Sequence, residues 1–159
     1  MDSCYNQLRK RASLSSSSLS IVSELKSGSA WYVPGGCSTI GRLFNDACGR
    51  YAFAEDKHSG SIPLAFETVF DKAGDADVWT IKYNRDRDMT YSDLKADYIG
   101  YTGFKAFKTR NIYGCNTAKV PFYEETPFRP DYLLADLIQI LHPEIGDLGG
   151  LRYFCKLNE

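Results

Sequence analysis

The sequence predicts an α/β fold: a single three-layer, Rossmann-like lobe with a mostly parallel central sheet. Three observations carry this prediction. Apolar residues recur at helical spacing in Ile40, Leu43, Phe44 and Ala47, and again in Leu133, Leu134, Leu137, Ile138 and Leu141. Short β-branched and aromatic runs lie between such segments, the clearest over residues 78–83. The chain has 159 residues, a length suited to one domain, and its alternation of strand and helix favours a layered parallel sheet.

The elements follow in order. Tyr5, Leu8 and Ala12 share a face of a helix over residues 2–13, ended by serines 15–18, whose hydroxyls compete with the helix backbone. Residues 19–25, with Ile21 and Val22, read as a strand. Gly28, Pro34, Gly35 and Gly36 punctuate a loop that contains Trp31, Tyr32 and Val33. Ser38 is the expected N-cap of the next helix and Gly49 its expected terminator. Residues 51–54 alternate as a short strand before a polar loop, 58–61, closed by Pro63. A helix with Phe66, Val69, Phe70 and Ala73 on one side ends at Gly74, and 78–83 is a buried strand. A charged turn, 85–88, leads into a helical region, 91–109, broken at Gly100 and Gly103. Ile112 and Tyr113 make another strand. Residues 116–128 carry Pro121 and Pro127 without a clear period and read as loop. Pro130 suits the first turn of the last helix, Pro143 stops it, and residues 151–157 have strand character.

Composition excludes several functions. A net charge of −1 argues against a nucleic-acid partner, which needs a clustered basic surface. Arg9, Lys10 and Arg11 are read as a solvated helix face. No apolar run approaches the roughly 20 residues of a membrane span, and no signal-peptide core follows Met1. Cys4, Cys37, Cys48, Cys115 and Cys155 form no CxxC pair and only two histidines accompany them, so no protein-built metal site is expected. No cofactor is implied. An aromatic content of 14% fits either a ring-rich core or a ligand wall.

Few residues offer chemistry. Cys37 at a helix start is a candidate nucleophile, with His58 and His142 the available imidazoles; His142, before a proline at a helix end, equally suits a carbonyl cap. Gly35 and Gly36 before a helix suit either a tight turn or backbone donors aimed at a ligand. Arg129 precedes Pro130, which holds it extended beside Tyr123, Glu124 and Phe128; it faces a ligand or pairs with Glu124 or Glu125. Glu67 alone reads as a solvated carboxylate, and Asp75 and Asp77 lack the spacing of an acid–base pair.

A series of short motifs adds a resemblance. Residues 31–38 (WYVPGGCS), 46–51 (DACGRY), 63–67 (PLAFE) and 76–79 (ADVW) stand in an order that resembles the C-terminal lobe of helical-backbone periplasmic binding proteins. Residues 104–107 (FKAF) before 111–113 (NIY), and 129–131 (RPD) running to 141–144 (LHPE), agree with it. The combination is similar to the branch found in Bacteroides-type bacteria and spans most of residues 19–157. Such proteins serve ABC importers for iron-siderophores, haem and cobalamin. The resemblance implies a non-catalytic lobe, residues 19–159, with residues 1–18 the tail of an interlobe helix and its linker, and a missing N-terminal lobe. Trp31, Tyr32, Gly35, Gly36 and Ser38 would then face the interlobe cleft together with Tyr123, Phe128 and Arg129, around a metal-chelate or corrinoid ligand that brings its own metal. Glu67 matches the glutamate that docks on arginines of the ABC permease. The full-length protein would be periplasmic or a membrane-anchored lipoprotein. Two alternatives stay open: an α/β enzyme using Cys37, and an orphan lobe acting as an interaction module, its half-cleft covered by a second copy.

Overall fold

A computed structural model describes residues 2–15 and 19–159. Helix α1 (Asp2–Leu14) packs through Ala12 and Tyr5, whose hydroxyl donates to Asp46. Of the serines expected to end it, 16–18 lie outside the described residues. Strand β1 (Ser20–Ser23) follows, then β2 (Lys26–Ser27) and β3 (Ala30–Pro34), α2 (Thr39–Asp46) and β4 (Arg50–Tyr51). Next come β5 (Ser61–Leu64), α3 (Phe66–Ala73) and β6 (Val78–Tyr83). Helix α4 (Tyr91–Asp97), a 3-10 turn (Ile99–Gly103) and α5 (Lys105–Lys108) lead to β7 (Ile112–Asn116). The chain finishes with α6 (Phe122–Glu125), α7 (Pro130–Leu141) and β8 (Cys155–Lys156).

The main sheet runs β4-β1-β6-β7-β8, with the first four strands parallel and β8 antiparallel at the edge. Strand β6 is buried over its first four residues, because helices cover both faces of the sheet. Pairing of Val22 with Trp79 and of Ser23 with Thr80 puts the members of each pair on one face. The Trp79 face carries α3, the 3-10 turn and α5; the Thr80 face carries α2 and α7, with α1 outside them. Asp77 ties the amino ends together, accepting from the Ser20 N–H at 3.0 Å and from the Lys105 ammonium.

Two expected loops are strands. Residues 30–34 and 61–64 form a separate antiparallel sheet, β2-β3-β5, in which Tyr32 lies opposite Pro63. Pro63 is tolerated because β5 is an edge strand. The proline and glycine punctuation of 28–36 marks the ends of a hairpin rather than one continuous loop. The α2 terminator is also displaced by one residue. Cys48 takes the left-handed conformation (φ 58°), its N–H donating to Asn45 O and that of Gly49 to Phe44 O, both at 2.9 Å. This is the double bond of a Schellman ending with cysteine where glycine is usual.

Part of the core is polar. His142 is fully buried and its Nε2–H donates to the Ala47 carbonyl at 2.7 Å, closing the end of α7 onto the end of α2. Asp136, on α7, accepts from the backbone N–H groups of Arg152, Tyr153 and Phe154 and so holds the segment before β8. Burial pushes its carboxyl above the ordinary range, against those three donors.

Candidate functional site

In a parallel sheet of this kind, loops at the carboxyl ends of the strands form the ligand face. Here β1 leads from that end into the 24–38 segment and β7 into the 117–129 segment. Ile40 of α2 and Phe122 of α6 line one recess there, together with Ser23, Glu24 and Lys82. The two segments therefore border the same end of the sheet.

The individual residues divide sharply. Trp31 has 0% exposure. Its ring stacks on Trp79 at 5.7 Å, meets Tyr101 edge-on at 5.8 Å, and its Nε1–H donates to the Ser23 carbonyl at 3.0 Å. This corrects the expectation that Trp31 walls a cleft: alternation along β3 turns Trp31 and Val33 inward and Tyr32 outward. Tyr32 is 50% exposed, Tyr123 61% and Phe128 74%.

Gly35 and Gly36 are required by packing. A Cβ on Gly35 would collide with the His58 carbonyl, and one on Gly36 with the Ala54 carbonyl. The Gly35 N–H donates to Gly60 O at 2.9 Å, so the turn is fastened to the 54–60 segment. Ser38 is the N-cap of α2: its Oγ accepts from the Gly41 N–H at 3.0 Å and donates to Gly35 O at 2.6 Å. All three are committed to shaping the turn.

Arg129 pairs with neither Glu124 nor Glu125. Its guanidinium makes two bonds to Asp131, at 3.0 and 2.7 Å, and lies 4.0 Å from the Tyr132 ring centre. Arg152 covers the same ring at 3.8 Å. The Arg129 bonds hold the Asp131 carboxyl below its ordinary range, burial opposing them. Glu125 instead accepts from the Tyr153 hydroxyl at 2.9 Å. Glu67 is exposed in the first turn of α3, where the helix dipole favours a carboxylate. The buried stripe of α3 is Val69 and Ala73; Phe66 and Phe70 stack at 5.8 Å, with Phe70 partly in solvent beside Gly103.

Cys37 is exposed and its backbone N–H donates to the His58 carbonyl at 3.1 Å, while the His58 ring engages Asp56 at 2.8 Å. All five thiols are free; Cys115 is buried, which pushes its pKa up to about 12. Among the described residues no cluster of three His, Cys, Asp or Glu side chains is placed to hold a metal, and no helix is long and apolar enough to cross a membrane.

Residues 1–118 match the model of the periplasmic binding protein family. The chain belongs to this family. An uncharacterized lipoprotein of Methanocaldococcus jannaschii is 31% identical over 128 residues, covering 80% of this chain and 30% of that protein. Three solved structures share the fold. The TroA-like periplasmic binding protein FepB of Veillonella parvula has a TM-score of 0.68 at 14% identity, over 99% of this chain and 54% of that one. IsdE of S. aureus, complexed with heme, has a TM-score of 0.62 at 16% identity, over 89% and 54%. The vitamin B12 binding protein BtuF of Vibrio cholerae has a TM-score of 0.59 at 12% identity, over 88% and 50%. The chain thus spans about half of each of these structures. The family is one of binding proteins, and the His58 ring engages Asp56, so neither observation favours a Cys37 nucleophile.

Sequence reasoning missed Ser23, Glu24, Thr80 and Lys82 as neighbours in one recess. Their only signal was position, at the carboxyl ends of two strands whose adjacency no local pattern encodes.

Proposed function

We propose that the chain is the C-terminal lobe of the substrate-binding component of an ABC importer for a bulky metal chelate, haem or corrinoid. The observation that carries this reading is the exposed aromatic set Tyr32, Tyr123 and Phe128, on segments leaving the carboxyl-end face of a family lobe. Exposed rings of this size give contact area with little conformational cost, which suits a large flat ligand. Neighbours of the same fold are named for heme and vitamin B12. In this reading α1 is the tail of the connector to an N-terminal lobe that supplies the other wall, and a rigid connector allows only a small closing motion. Trp31 acts indirectly, by fixing the turn that follows β1. Glu67 is the docking carboxylate for arginines of the permease, fixing orientation and speeding encounter more than adding affinity. The full-length protein works on the outer face of the membrane, free or lipid-anchored.

The test is calorimetric titration of the two-lobed protein with hemin and with cyanocobalamin. Tyr123→Ala and Phe128→Ala together are expected to weaken the bound ligand about 10- to 100-fold, about 1–3 kcal/mol. Tight binding of one ligand with unchanged affinity in the double variant removes the cleft assignment. Failure of both ligands to bind the two-lobed protein removes the ligand class.

A further inference from the structure

Among the described residues, the buried side-chain atom without a hydrogen-bond partner is Ser23 Oγ. A buried hydroxyl left unpaired costs about 1–3 kcal/mol, and folded proteins rarely keep one. Ser23 ends β1 on the Thr80 face and lines the recess at the carboxyl ends of β1 and β6. That recess has a cavity volume of about 20 Å³, room enough for one water. Its walls are apolar at Phe44, Phe122 and Leu137. Its polar side holds the Glu24–Lys82 ion pair, 3.3 Å apart, with both side chains about four-fifths buried (22% and 21% exposed). A guest there meets an acceptor in Glu24, donors in the Lys82 ammonium, and a hydroxyl that does both.

Two further features single out this place. Strand β1 lies between β4 and β6, so the sheet grows one way from β1 and then the other; the crevice at such a switch point is where open α/β sheets take ligands. Glu24 is also a non-glycine residue in the left-handed region (φ 74°). It is held there because its carbonyl accepts from Trp79 Nε1–H at 2.9 Å and its N–H donates to Thr80 O at 3.0 Å. Backbone strain of this kind costs about 1–3 kcal/mol and persists where surrounding contacts impose it.

We propose that this recess is a subsite for a neutral hydroxyl group. One ordered water occupies it in the empty lobe, joining Ser23 Oγ to the Glu24–Lys82 pair, and the hydroxyl of a small apolar-stemmed guest replaces that water. The extension to a hydroxyl carried by the imported ligand rests on the function proposed above; the site itself does not.

The test uses the 159-residue chain and ethanol as the probe. Water-to-amide NOE contacts at Ser23 and Glu24 are expected in the wild type and lost in Ser23→Ala, whose urea midpoint should fall. Dilute ethanol should shift the Ser23, Glu24 and Thr80 amides saturably, with an affinity about 3- to 10-fold weaker in Ser23→Ala, the loss of one neutral hydrogen bond. A higher midpoint for Ser23→Ala without any water contact shows an empty recess and overturns the proposal. A water that ethanol does not displace overturns it as well. Leu137→Phe, which fills the recess from its apolar wall, must abolish both signals, and persistence of either also overturns it. No arm uses an importer ligand, so failure here leaves the carrier reading untouched.

Discussion

The two faces of the central sheet are packed by different means. On one, Trp31, Trp79, Tyr101, Phe104 and Phe66 form a layer of rings whose two indole N–H groups both find backbone carbonyls, those of Ser23 and Glu24. On the other, apolar side chains such as Phe44, Leu133 and Leu137 surround buried polar groups, among them Asp136, His142 and the unpartnered Ser23 hydroxyl. The difference teaches how one face serves the other. By capturing the last carbonyls of β1, the indoles of the ring face hold Glu24 in its left-handed turn, and that turn aims Ser23 and Glu24 into the recess opposite. Ring stacking dominates one side, and unpaired or buried polar groups lie on the other.

The largest test of this contrast is Trp31→Ala. It should destabilise the lobe by about 3–5 kcal/mol in urea denaturation, more than Leu137→Ala, expected near the lower end of about 2–5 kcal/mol because the recess already adjoins that side chain. Equal costs would erase the distinction between the faces. Asp77→Asn tests the clamp that joins α5, on the ring face, to the start of β1. Burial raises the Asp77 pKa, but the bonds from Lys105 and Ser20 outweigh it and the carboxyl titrates below its ordinary value. Its stabilisation is therefore present above the unfolded value of about 3.9 and is lost as pH falls through the folded value. Asp77→Asn should cost about 2 kcal/mol at pH 7, and the gap from wild type should narrow steadily as pH falls below about 4 toward the folded value. A gap that stays constant over that acid range would assign the effect to packing. The smallest effect is on the helix face, where Cys48→Gly at φ 58° should stabilise the chain by about 0.5–1 kcal/mol; a loss of stability there would mean that the cysteine side chain supports α2 through packing.

Much of the fold was legible locally. The stripe from Leu133 to Leu141, Pro130 at its start and Ser38 as a cap all depend on residues within a turn or two of each other, so pattern alone locates α7 and α2. The 28–36 segment was not legible as strand, because its hydrogen-bond partner, β5, lies some thirty residues away and contains a proline. The same limit governs the candidate site. Tyr32, Tyr123 and Phe128 are exposed, Trp31 is not, and composition cannot separate a wall of rings from a core of rings.

Local periodicity and capping chemistry by themselves determined an α/β layered domain, because helices and turns are specified by neighbouring residues, and the order of the short motifs added its resemblance to binding proteins. Only the tertiary structure decided which way each ring points, that Arg129 is bound to Asp131, and that Ser23, Glu24 and Lys82 converge. Those outcomes depend on the pairing of strands distant in sequence and on which face of the sheet each side chain meets, and neither is written in any short stretch of the chain.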